Sequence, residues 1–457
     1  MKIKTDLNKY IFRGYDIRGV YNIDIDIDTA YTIGLAFGSK LYLMNKDKCV
    51  VGHDNRISSP DLHQALLQGL LDSGVNIIDI GLTTTPMYYF ACLDLKIDSG
   101  IMITASHNPK DENGFKIAFE NYMNAKGQEI TDFYNFITEG NFHYAKGTIT
   151  KKDVKKDYFN LLLKGIELGP RKVNVVLDPG NGTTAILLDD LFKKLDVTYK
   201  IINGESDGTF PNHHPDPQVE SNLSDLKKAV LSLKADCGLA FDGDGDRVGI
   251  ISNLGNFIPI DYYMIIIIRD IINKVDNKTF LYDVKCSKSL EDEIKKLGGT
   301  PYCYRTGNSY TKAKVQELDL AFGGELSGHL YFRDHFLGFD SGIYAGLRLI
   351  EILSKTDKTV EELLDGINRY YSTPETKVSS KDEKKNSVIE KIKEYCLAKG
   401  YDVNDIDGVR VTFKDGWASV RASNTGPNIT TRYEAVSEVR LKEISDEFNS
   451  LIAKYND

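Results

Sequence analysis

The chain has 457 residues, and its 57 Lys and Arg against 66 Asp and Glu give a formal net charge of −9 at pH 7. This mild acidity argues against a protein that coats nucleic acid or binds membranes through a polybasic surface. Apolar residues make up 41% of the chain and charged residues 27%, which is typical of a globular protein. The length alone predicts about three domains.

The six cysteines are far apart and form no CxxC pair, so we expect reduced thiols rather than disulfides or a structural zinc site. The N-terminal segment lacks the apolar core of a signal peptide. The most apolar stretch, residues 262–268, is too short to cross a bilayer and predicts a buried helix. We therefore expect a cytoplasmic protein with no membrane partner.

Short apolar segments alternate with amphipathic ones through most of the chain. Strands are predicted at residues 48–51, 75–80, 100–104, 172–177 and 279–284. A helix is predicted after the first strand, with Ser59 as its N-cap, Pro60 at its first position and Gly74 just past its end. This order predicts an α/β protein with mainly parallel sheets, in which ligands bind beyond the carboxyl ends of the strands.

Three of the strand ends look alike, because an apolar run stops abruptly in a loop of small and polar residues. They read GIMITASHNP (100–109), GLAFDGDGDR (238–247) and LAFGGELSGH (320–329). We interpret them as one functional loop from each of three α/β domains of similar topology.

The C-terminal segment has a different pattern. The charged run 377–385 is expected to be solvated, and Ser387 with Glu390 predicts a capping box for a helix that ends at Lys399. Two strands follow, and the whole predicts a smaller α+β domain. The predicted domains are 1–150, 151–253, 254–368 and 369–457.

The segment DGDGDR is the strongest chemical signal. Asp242, Asp244 and Asp246 would point to the same side of an extended segment, and three carboxylates this close repel each other unless a cation binds. Oxygen ligands suit Mg²⁺, and the neighbouring Arg247 indicates that an anion such as a phosphoryl group shares the site. A calcium EF-hand is excluded, because Arg247 and Asn253 stand where that loop needs Gly and Glu. A polar surface turn is the remaining alternative.

The segment TASHNP places Ser106 beside His107 at a strand end. It lacks the flanking glycines of a hydrolase nucleophile elbow. A phosphorylated serine beside a Mg²⁺ site fits better, because a metal and nearby cations neutralise charge during transfer. The alternative is a loop whose Ser and Asn side chains bind only their own backbone.

Three further segments carry weaker signals. Residues 323–329 (GGELSGH) offer donors and acceptors suited to sugar hydroxyls, and residues 421–427 (RASNTGP) have the composition of a phosphate cradle. Two arginines lie in FRGYDIRG (12–19), where solvated charge is the simpler interpretation. His213 and His214 have no further ligand at metal-site spacing, so we interpret them as part of a structural loop.

Taken together and in this order, TASHNP, DGDGDR, GELSGH and RASNTGP resemble the motifs of the α-D-phosphohexomutase family. FRGYDIRG, NGFK (113–116), PNHHPDP and YDVKC (282–286) add to the resemblance, which is greatest to the phosphomannomutase/phosphoglucomutase branch. It implies three similar α/β domains and a smaller, mobile fourth, with the active site in a central cleft. It also implies an enzyme that interconverts the 1- and 6-phosphates of mannose and/or glucose through a phosphoserine and a 1,6-bisphosphate intermediate.

The resemblance also implies the roles of individual residues. Ser106 would carry the phosphoryl group and would bind Mg²⁺ together with Asp242, Asp244 and Asp246. The implied catalytic residues are Ser106, His107, Lys116, Arg247 and His329, the last as candidate general base. The implied substrate contacts are Tyr15, Arg18, Lys285, Asn308, Glu325, Ser327, Arg421, Ser423, Asn424 and Thr425. Hexose 1,6-bisphosphate would act as an activator, and hexose phosphates would be the small-molecule partners, with no nucleic acid and no membrane. The oligomeric state is not predicted by any feature of the sequence.

One departure from the family pattern and three alternative functions stay open. Asn308 stands where this branch commonly has His, and an amide can bind a sugar but cannot carry a proton. A phosphoglucosamine mutase is the nearest alternative, but its terminal loop usually reads R-x-S-G-T-E-P, whereas this chain has Asn424 and Gly426. A metal-dependent sugar phosphatase with Asp242 as nucleophile and a sugar-phosphate binding protein without turnover are the others.

Overall fold

The computed structural model describes residues 1–423 and 426–456, and the chain forms two compact units. The first unit comprises Met1–Pro259 and Ser327–Leu363, and the second comprises Ile260–Leu326 and Leu364–Asp457. The division falls inside the segment GGELSGH, so Glu325 belongs to the second unit and Ser327 to the first.

The first sheet of the first unit has seven strands. They are Ile17–Val20, Lys48–His53, Asn76–Leu82, Gly100–Ile103, Glu112–Glu120, Met123–Asn124 and Thr148–Lys151. Its central strand Lys48–His53 runs parallel to both of its neighbours, while Glu112–Glu120 is antiparallel to Gly100–Ile103. The helices of this region are Ile27–Leu43, Ser59–Asp72, Thr85–Asp94 and Gln128–Glu139. Apolar residues of the sheet and of three of these helices form one buried core.

The first two helices cross very closely, and two glycines make this possible. A Cβ on Gly34 would lie 2.4 Å from the carbonyl oxygen of Leu66, and one on Gly69 would lie 2.1 Å from that of Tyr31. The second helix begins at Ser59, but its N-cap is Ser58 rather than the expected Ser59. Ser59 already lies in the first turn of the helix, and its hydroxyl donates to Asp54 Oδ1 (2.5 Å).

The second sheet of the first unit has the strand order Phe257–Ile258, Val248–Ser252, Cys237–Phe241, Asn174–Asp178 and Thr198–Ile201. Its last three strands are parallel, and Val248–Ser252 returns antiparallel to Cys237–Phe241. The helices here are Lys155–Lys164, Ala185–Phe192, Ser224–Leu233 and Gly342–Ser354. The short strand Leu330–Phe332 precedes the last of them. Parallel central strands therefore end at the loop that carries the three aspartates.

The second unit contains a parallel sheet and an antiparallel one. Thr279–Asp283 runs parallel to both Thr300–Tyr304 and Phe322–Gly324. The antiparallel sheet consists of Tyr371–Ser372, Thr376–Ser379, Asp402–Asn404, Val409–Phe413, Gly416–Ala422 and Asn428–Ala435. The helices are Ile260–Ile271, Lys288–Lys296, Asn308–Glu317, Lys385–Ala398 and Glu438–Asn456. The α/β class, with a C-terminal α+β region, is confirmed by this arrangement.

The charged run 377–385 is exposed or partly exposed apart from Ser380, as expected, and its first residues belong to the strand Thr376–Ser379, which pairs antiparallel with Asn428–Ala435. One local prediction in this region, the capping box, was wrong. The helix begins at Lys385, before the expected capping box, and the Ser387 hydroxyl donates to the carbonyl oxygen of Lys384 (2.8 Å). Its end is as predicted, since Gly400 follows with φ +72°.

Within the described part of the chain, every helix is too short or too polar to span a bilayer. All six cysteines are free, and they all lie in this part. Five are buried, whereas Cys303 is partly exposed.

Candidate active site

Ser106 follows the strand Gly100–Ile103 in a strained backbone conformation. Its φ of +52° lies in the left-handed region, which costs a non-glycine residue about 1–2 kcal/mol. Its amide donates to the Thr104 hydroxyl (2.8 Å), and its own hydroxyl donates to Asp242 Oδ2 (2.7 Å). The His107 Nδ1 atom lies 3.3 Å from the same hydroxyl. The left-handed backbone conformation therefore places a buried hydroxyl against the aspartate loop.

The aspartate loop begins where Cys237–Phe241 ends. Asp242, Asp244 and Asp246 are fully buried, and one ligand atom of each lies within 4.8 Å of the others. They converge because the loop turns, with Gly245 at φ +80° and the amides of Gly245 and Arg247 both donating to Asp242 Oδ1 (3.1 Å). The expectation that the three side chains converge because they alternate along an extended segment was therefore wrong.

The surroundings of these carboxylates fit a divalent metal. Lys116 Nζ donates to Asp244 Oδ2 (2.8 Å) and to Asp246 Oδ2 (2.5 Å). The Oδ1 atoms of the same two aspartates are buried and have no hydrogen-bond partner. Burial, together with Asp246 and Asp244, raises the pKa of Asp242 well above its usual range. Buried oxygens without a partner and unbalanced negative charge are what an oxygen-coordinated cation such as Mg²⁺ would relieve.

Arg247 and His329 form a second contact group beside the aspartates. Arg247 Nε donates to His329 Nε2 (3.1 Å), while His329 Nδ1 lies 2.8 Å from Asp340 Oδ2 and 3.5 Å from Asp246 Oδ1. Because Arg247 Nε can only donate, His329 Nε2 accepts, and the proton of a neutral ring is then on Nδ1. Asp246, His329 and Asp340 are also close enough together to bind a metal, but the ring already pairs with Asp340.

Of the remaining predicted residues of the first unit, Arg18 contacts the Ser106 loop and Tyr15 lies near Arg247. Arg18 pairs with Asp16 (2.6 Å) and donates to the Ala105 carbonyl oxygen (3.1 Å) and to Asn108 Oδ1 (2.8 Å). Burial works to lower the pKa of Arg247, but Asp242 and other acidic neighbours, including Tyr15, raise it. Ser327 is partly exposed.

The two basic residues predicted in the second unit, Lys285 and Arg421, are each already paired with a carboxylate. Lys285 Nζ lies 3.1 Å from Glu375 Oε2, and Arg421 Nε lies 2.9 Å from Asp407 Oδ2. Burial alone would raise the pKa of Glu375, but Lys285 and Arg421 lower it to about 2. We call Lys285, Arg421, Glu375 and Asp407 the paired cluster.

Other predicted residues of this unit are buried near its loops. Glu325 accepts from the Gly307 amide (2.9 Å) and from the Thr311 hydroxyl, which fixes the segment that carries Asn308. Asn308 is the buried first residue of the helix Asn308–Glu317. The Ser423 amide donates to the Asn428 carbonyl oxygen (2.9 Å). The predicted Asn424 and Thr425 lie outside the described residues.

Several residues of the site were missed by sequence reasoning. Thr85 donates to Asp244 Oδ2 (2.6 Å), and Asp340, Glu375 and Asp407 pair with predicted residues as described above. Arg56 lies under the Ser106 loop. None of them stands in a sequence motif that indicates a catalytic or binding role. Only Arg56 has a local indication, because it lies in the polar segment GHDNR (52–56) that follows the predicted strand 48–51.

Comparison with known proteins places this geometry in a family. Four models of the phosphoglucomutase/phosphomannomutase family match in order: alpha/beta/alpha domain I at residues 9–143, domain II at 156–255, domain III at 259–370 and the C-terminal domain at 375–451. The chain therefore belongs to the phosphoglucomutase/phosphomannomutase family. The resemblance inferred from the sequence motifs is confirmed.

Individual relatives cover nearly the whole chain. The chain is 39% identical to a phosphomannomutase/phosphoglucomutase of Pseudomonas syringae pv. tomato, over 97% of this chain and 95% of that protein. It is 36% identical to a phosphoglucomutase of Neisseria gonorrhoeae, over 98% of both. The crystal structure of a phosphoglucomutase/phosphomannomutase family protein from Burkholderia thailandensis superimposes with a TM-score of 0.90 at 35% identity, covering 98% of both chains.

Proposed function

We propose that the chain is a hexose phosphate mutase that interconverts the 1- and 6-phosphates of mannose and/or glucose, with Ser106 as the phosphorylated residue. Relatives at 36–39% identity that are named phosphomannomutase/phosphoglucomutase or phosphoglucomutase support this activity. One observation carries the assignment of Ser106. Its buried hydroxyl donates to Asp242, which belongs to the loop whose three aspartates are close enough together to bind a metal.

Asp242, Asp244 and Asp246 are the residues that would hold Mg²⁺, through the two Oδ1 atoms without partners and an oxygen of Asp242. When bound, the ion would neutralise negative charge on the phosphoryl group during transfer. Lys116 keeps two of the carboxylates in place through their Oδ2 atoms. Arg247 and His107 stand beside the transferring group and add positive charge or hydrogen bonds.

The transfer itself is an exchange of phosphorus–oxygen bonds. The bond from phosphorus to Ser106 Oγ breaks, and Oγ takes up a proton to become a hydroxyl again. A bond forms from phosphorus to the oxygen of the free hydroxyl of a hexose phosphate, which loses its proton. His329 is the candidate acceptor of that proton, and this role requires Arg247 to release His329 Nε2. The resulting 1,6-bisphosphate turns end for end and returns its other phosphoryl group to Ser106. Added hexose 1,6-bisphosphate activates by phosphorylating Ser106 in the same way.

Binding of the sugar phosphate falls to side chains that offer donors and positive charge. In this proposal the contacts are Tyr15, Arg18, Lys285, Asn308, Glu325, Ser327, Arg421, Ser423, Asn424 and Thr425. We also propose four domains, at 1–150, 151–253, 254–368 and 369–457, each carrying one of the functional loops; the four family-model matches support these boundaries. Six free cysteines are consistent with a cytoplasmic enzyme.

Replacing the nucleophile tests the assignment. Ser106→Ala is expected to lower kcat with glucose 1-phosphate by at least ~10³-fold, because in this proposal the Ser106 oxygen holds the phosphoryl group between the two steps. Mass spectrometry of the wild-type protein after incubation with bisphosphate is expected to find phosphate on the peptide that contains Ser106.

Ser99→Ala is the matched control, because Ser99 is also buried and precedes the strand that leads to Ser106, but its hydroxyl donates to the Lys48 carbonyl oxygen of the neighbouring strand. Label on Asp242 instead of Ser106 would indicate a phosphatase. Comparison of kcat/KM for glucose, mannose and glucosamine 1-phosphates tests the branch, and a strong preference for glucosamine would overturn it.

A further inference from the structure

The Arg56 side chain lies beneath the loop that carries Ser106 and is 1% exposed. Its Nη2 donates to the carbonyl oxygens of Ser106 (2.8 Å) and Asn108 (2.7 Å). Its Nη1 donates to the carbonyl oxygens of Pro109 (2.5 Å) and Glu112 (3.0 Å). One guanidinium group therefore binds four backbone carbonyls of a single loop.

The guanidinium group is itself held on its other sides. Arg56 Nε lies 3.2 Å from Asp54 Oδ2, and Asp54 Oδ1 accepts from the Arg56 amide (3.1 Å). The ring of Phe210 covers the guanidinium carbon at 5.4 Å from the ring centroid. Only a planar fork with several N–H donors can satisfy carbonyls in this arrangement, which a lysine ammonium cannot reproduce.

The contact matters most at Ser106, because the backbone there is strained. At φ +52° the residue would relax to an ordinary conformation unless neighbouring contacts prevented it. Relaxation would rotate the Ser106 carbonyl away from Arg56 Nη2 and would move Oγ from its position 2.7 Å from Asp242 Oδ2. The same peptide group thus connects Arg56 to the direction of the Ser106 hydroxyl.

We propose that Arg56 is a positioning residue for phosphoryl transfer, which holds the Ser106 carbonyl and thereby keeps Oγ aimed at the aspartate loop. This inference rests on the proposed role of Ser106. Arg56 acts through the backbone rather than on the sugar phosphate, so its loss should affect the transfer step and leave substrate binding unchanged. A displacement of about 1 Å at the reacting atom lowers a rate by roughly 10²-fold.

The test compares Arg56→Lys with Arg348→Lys. Arg348 is a matched control, since it is 2% exposed, donates to Asp334 (2.6 Å) and lies 3.1 Å from Glu351 Oε2. We expect Arg56→Lys to lower kcat by roughly 10²-fold with KM for glucose 1-phosphate within about twofold of wild type. Arg348→Lys should keep kcat within about threefold of wild type, even if its melting temperature falls as far as that of Arg56→Lys.

A second readout is the rate at which bisphosphate phosphorylates Ser106, followed by intact mass, which should fall with kcat in Arg56→Lys. Equal kcat in Arg56→Lys and wild type, or a raised KM with unchanged kcat, would overturn the inference. Absence of turnover and of Ser106 label in the wild-type protein would instead refute the proposed function.

If Arg56→Lys does not fold, Phe210→Leu decides the question. This substitution removes the ring that covers the guanidinium and leaves its hydrogen bonds in place. We expect kcat to fall by about three- to tenfold with KM unchanged, as less restraint on Arg56 allows Ser106 to move. An unchanged kcat in a folded Phe210→Leu protein would overturn the inference.

Discussion

The two units of the molecule handle charge in opposite ways. In the first unit, Asp242, Asp244 and Asp246 are fully buried, and the lysine that binds two of them directly is Lys116. In the paired cluster of the second unit, the cations Lys285 and Arg421 each have a carboxylate within 3.1 Å. The aspartate loop therefore has a deficit of positive charge that a cation can fill. The paired cluster is balanced already, so an anion must displace a carboxylate to bind there.

Removal of Lys116 should have the largest effect on stability, because it increases the deficit of positive charge at the aspartate loop. Lys116→Met leaves two buried carboxylates without their cation and is expected to lower the free energy of unfolding by about 3–5 kcal/mol in EDTA. Mg²⁺ should restore part of this loss. Thermal or denaturant unfolding with and without Mg²⁺ measures both effects.

Lys155→Met serves as the control, since Lys155 pairs with the exposed Asp190. It should change stability little and should not respond to Mg²⁺. Similar losses in the two variants would mean that the buried carboxylates do not depend on Lys116 for their charge balance.

Replacement of Asp242 should act in the opposite direction. Asp242→Asn removes a carboxylate whose pKa is raised by burial and by its neighbours, while its amide oxygen can still accept from Ser106. Without metal, the protein should become more stable by about 1 kcal/mol. Its affinity for Mg²⁺ should fall by roughly 10- to 100-fold, because a ligand is lost.

Calorimetric titration with Mg²⁺ and unfolding in EDTA check these two expectations. Asp340→Asn is the comparison, because Asp340 is buried but paired with His329, and its loss should destabilise the protein. A metal-free Asp242→Asn protein less stable than wild type would contradict the view that the loop has too little positive charge.

The smallest effect is expected in the paired cluster. Glu375→Gln removes the anion that occupies Lys285, and a phosphate no longer has to displace it. We expect inorganic phosphate, a probe for the sugar-phosphate group, to bind about two- to fivefold more tightly than to wild type. Calorimetry with phosphate measures this, and weaker binding would show that Glu375 orients Lys285 rather than competing for it.

The same variant has a defined pH behaviour. Folding lowers the pKa of Glu375 from 4.5 to about 2, so its charged form favours the folded state above pH 4.5. That contribution is lost as the pH falls from 4.5 toward 2. Stability of Glu375→Gln should therefore depend less on pH in this window than that of wild type, and an equal dependence would place the titrating group elsewhere.

Local patterns were sufficient for the parts of the site that lie within one segment. Ser106 and the three aspartates each follow an apolar strand, in short motifs whose residue types indicate a phosphoryl carrier and a metal site. The structure brings Ser106 into contact with Asp242, 136 residues further along the chain. Arg56 and Asp340 could not be found in this way, because each matters only through a distant partner. A buried arginine under a loop has the same local sequence as an exposed one.

The same limit explains the errors in detail. The capping box at Ser387 failed because one serine hydroxyl can bond either to the helix start or to the preceding turn, and the sequence does not distinguish them. The aspartates were expected to converge along an extended segment, but the positive φ of Gly245 turns the chain instead. Composition and periodicity were enough for the α/β class; the direction of single side chains was decided by contacts.

The distribution of the cysteines offers a practical route to watch the enzyme at work. Since five thiols are buried and Cys303 is partly exposed, a maleimide dye added to the native protein should attach first at Cys303. The reaction should be slow at neutral pH and faster at higher pH, because burial raises the pKa of this thiol to about 11. The dye would stand on the strand Thr300–Tyr304, just before the segment that leads to Asn308. Its fluorescence could then follow hexose phosphate binding in real time, in a chain whose other thiols stay silent.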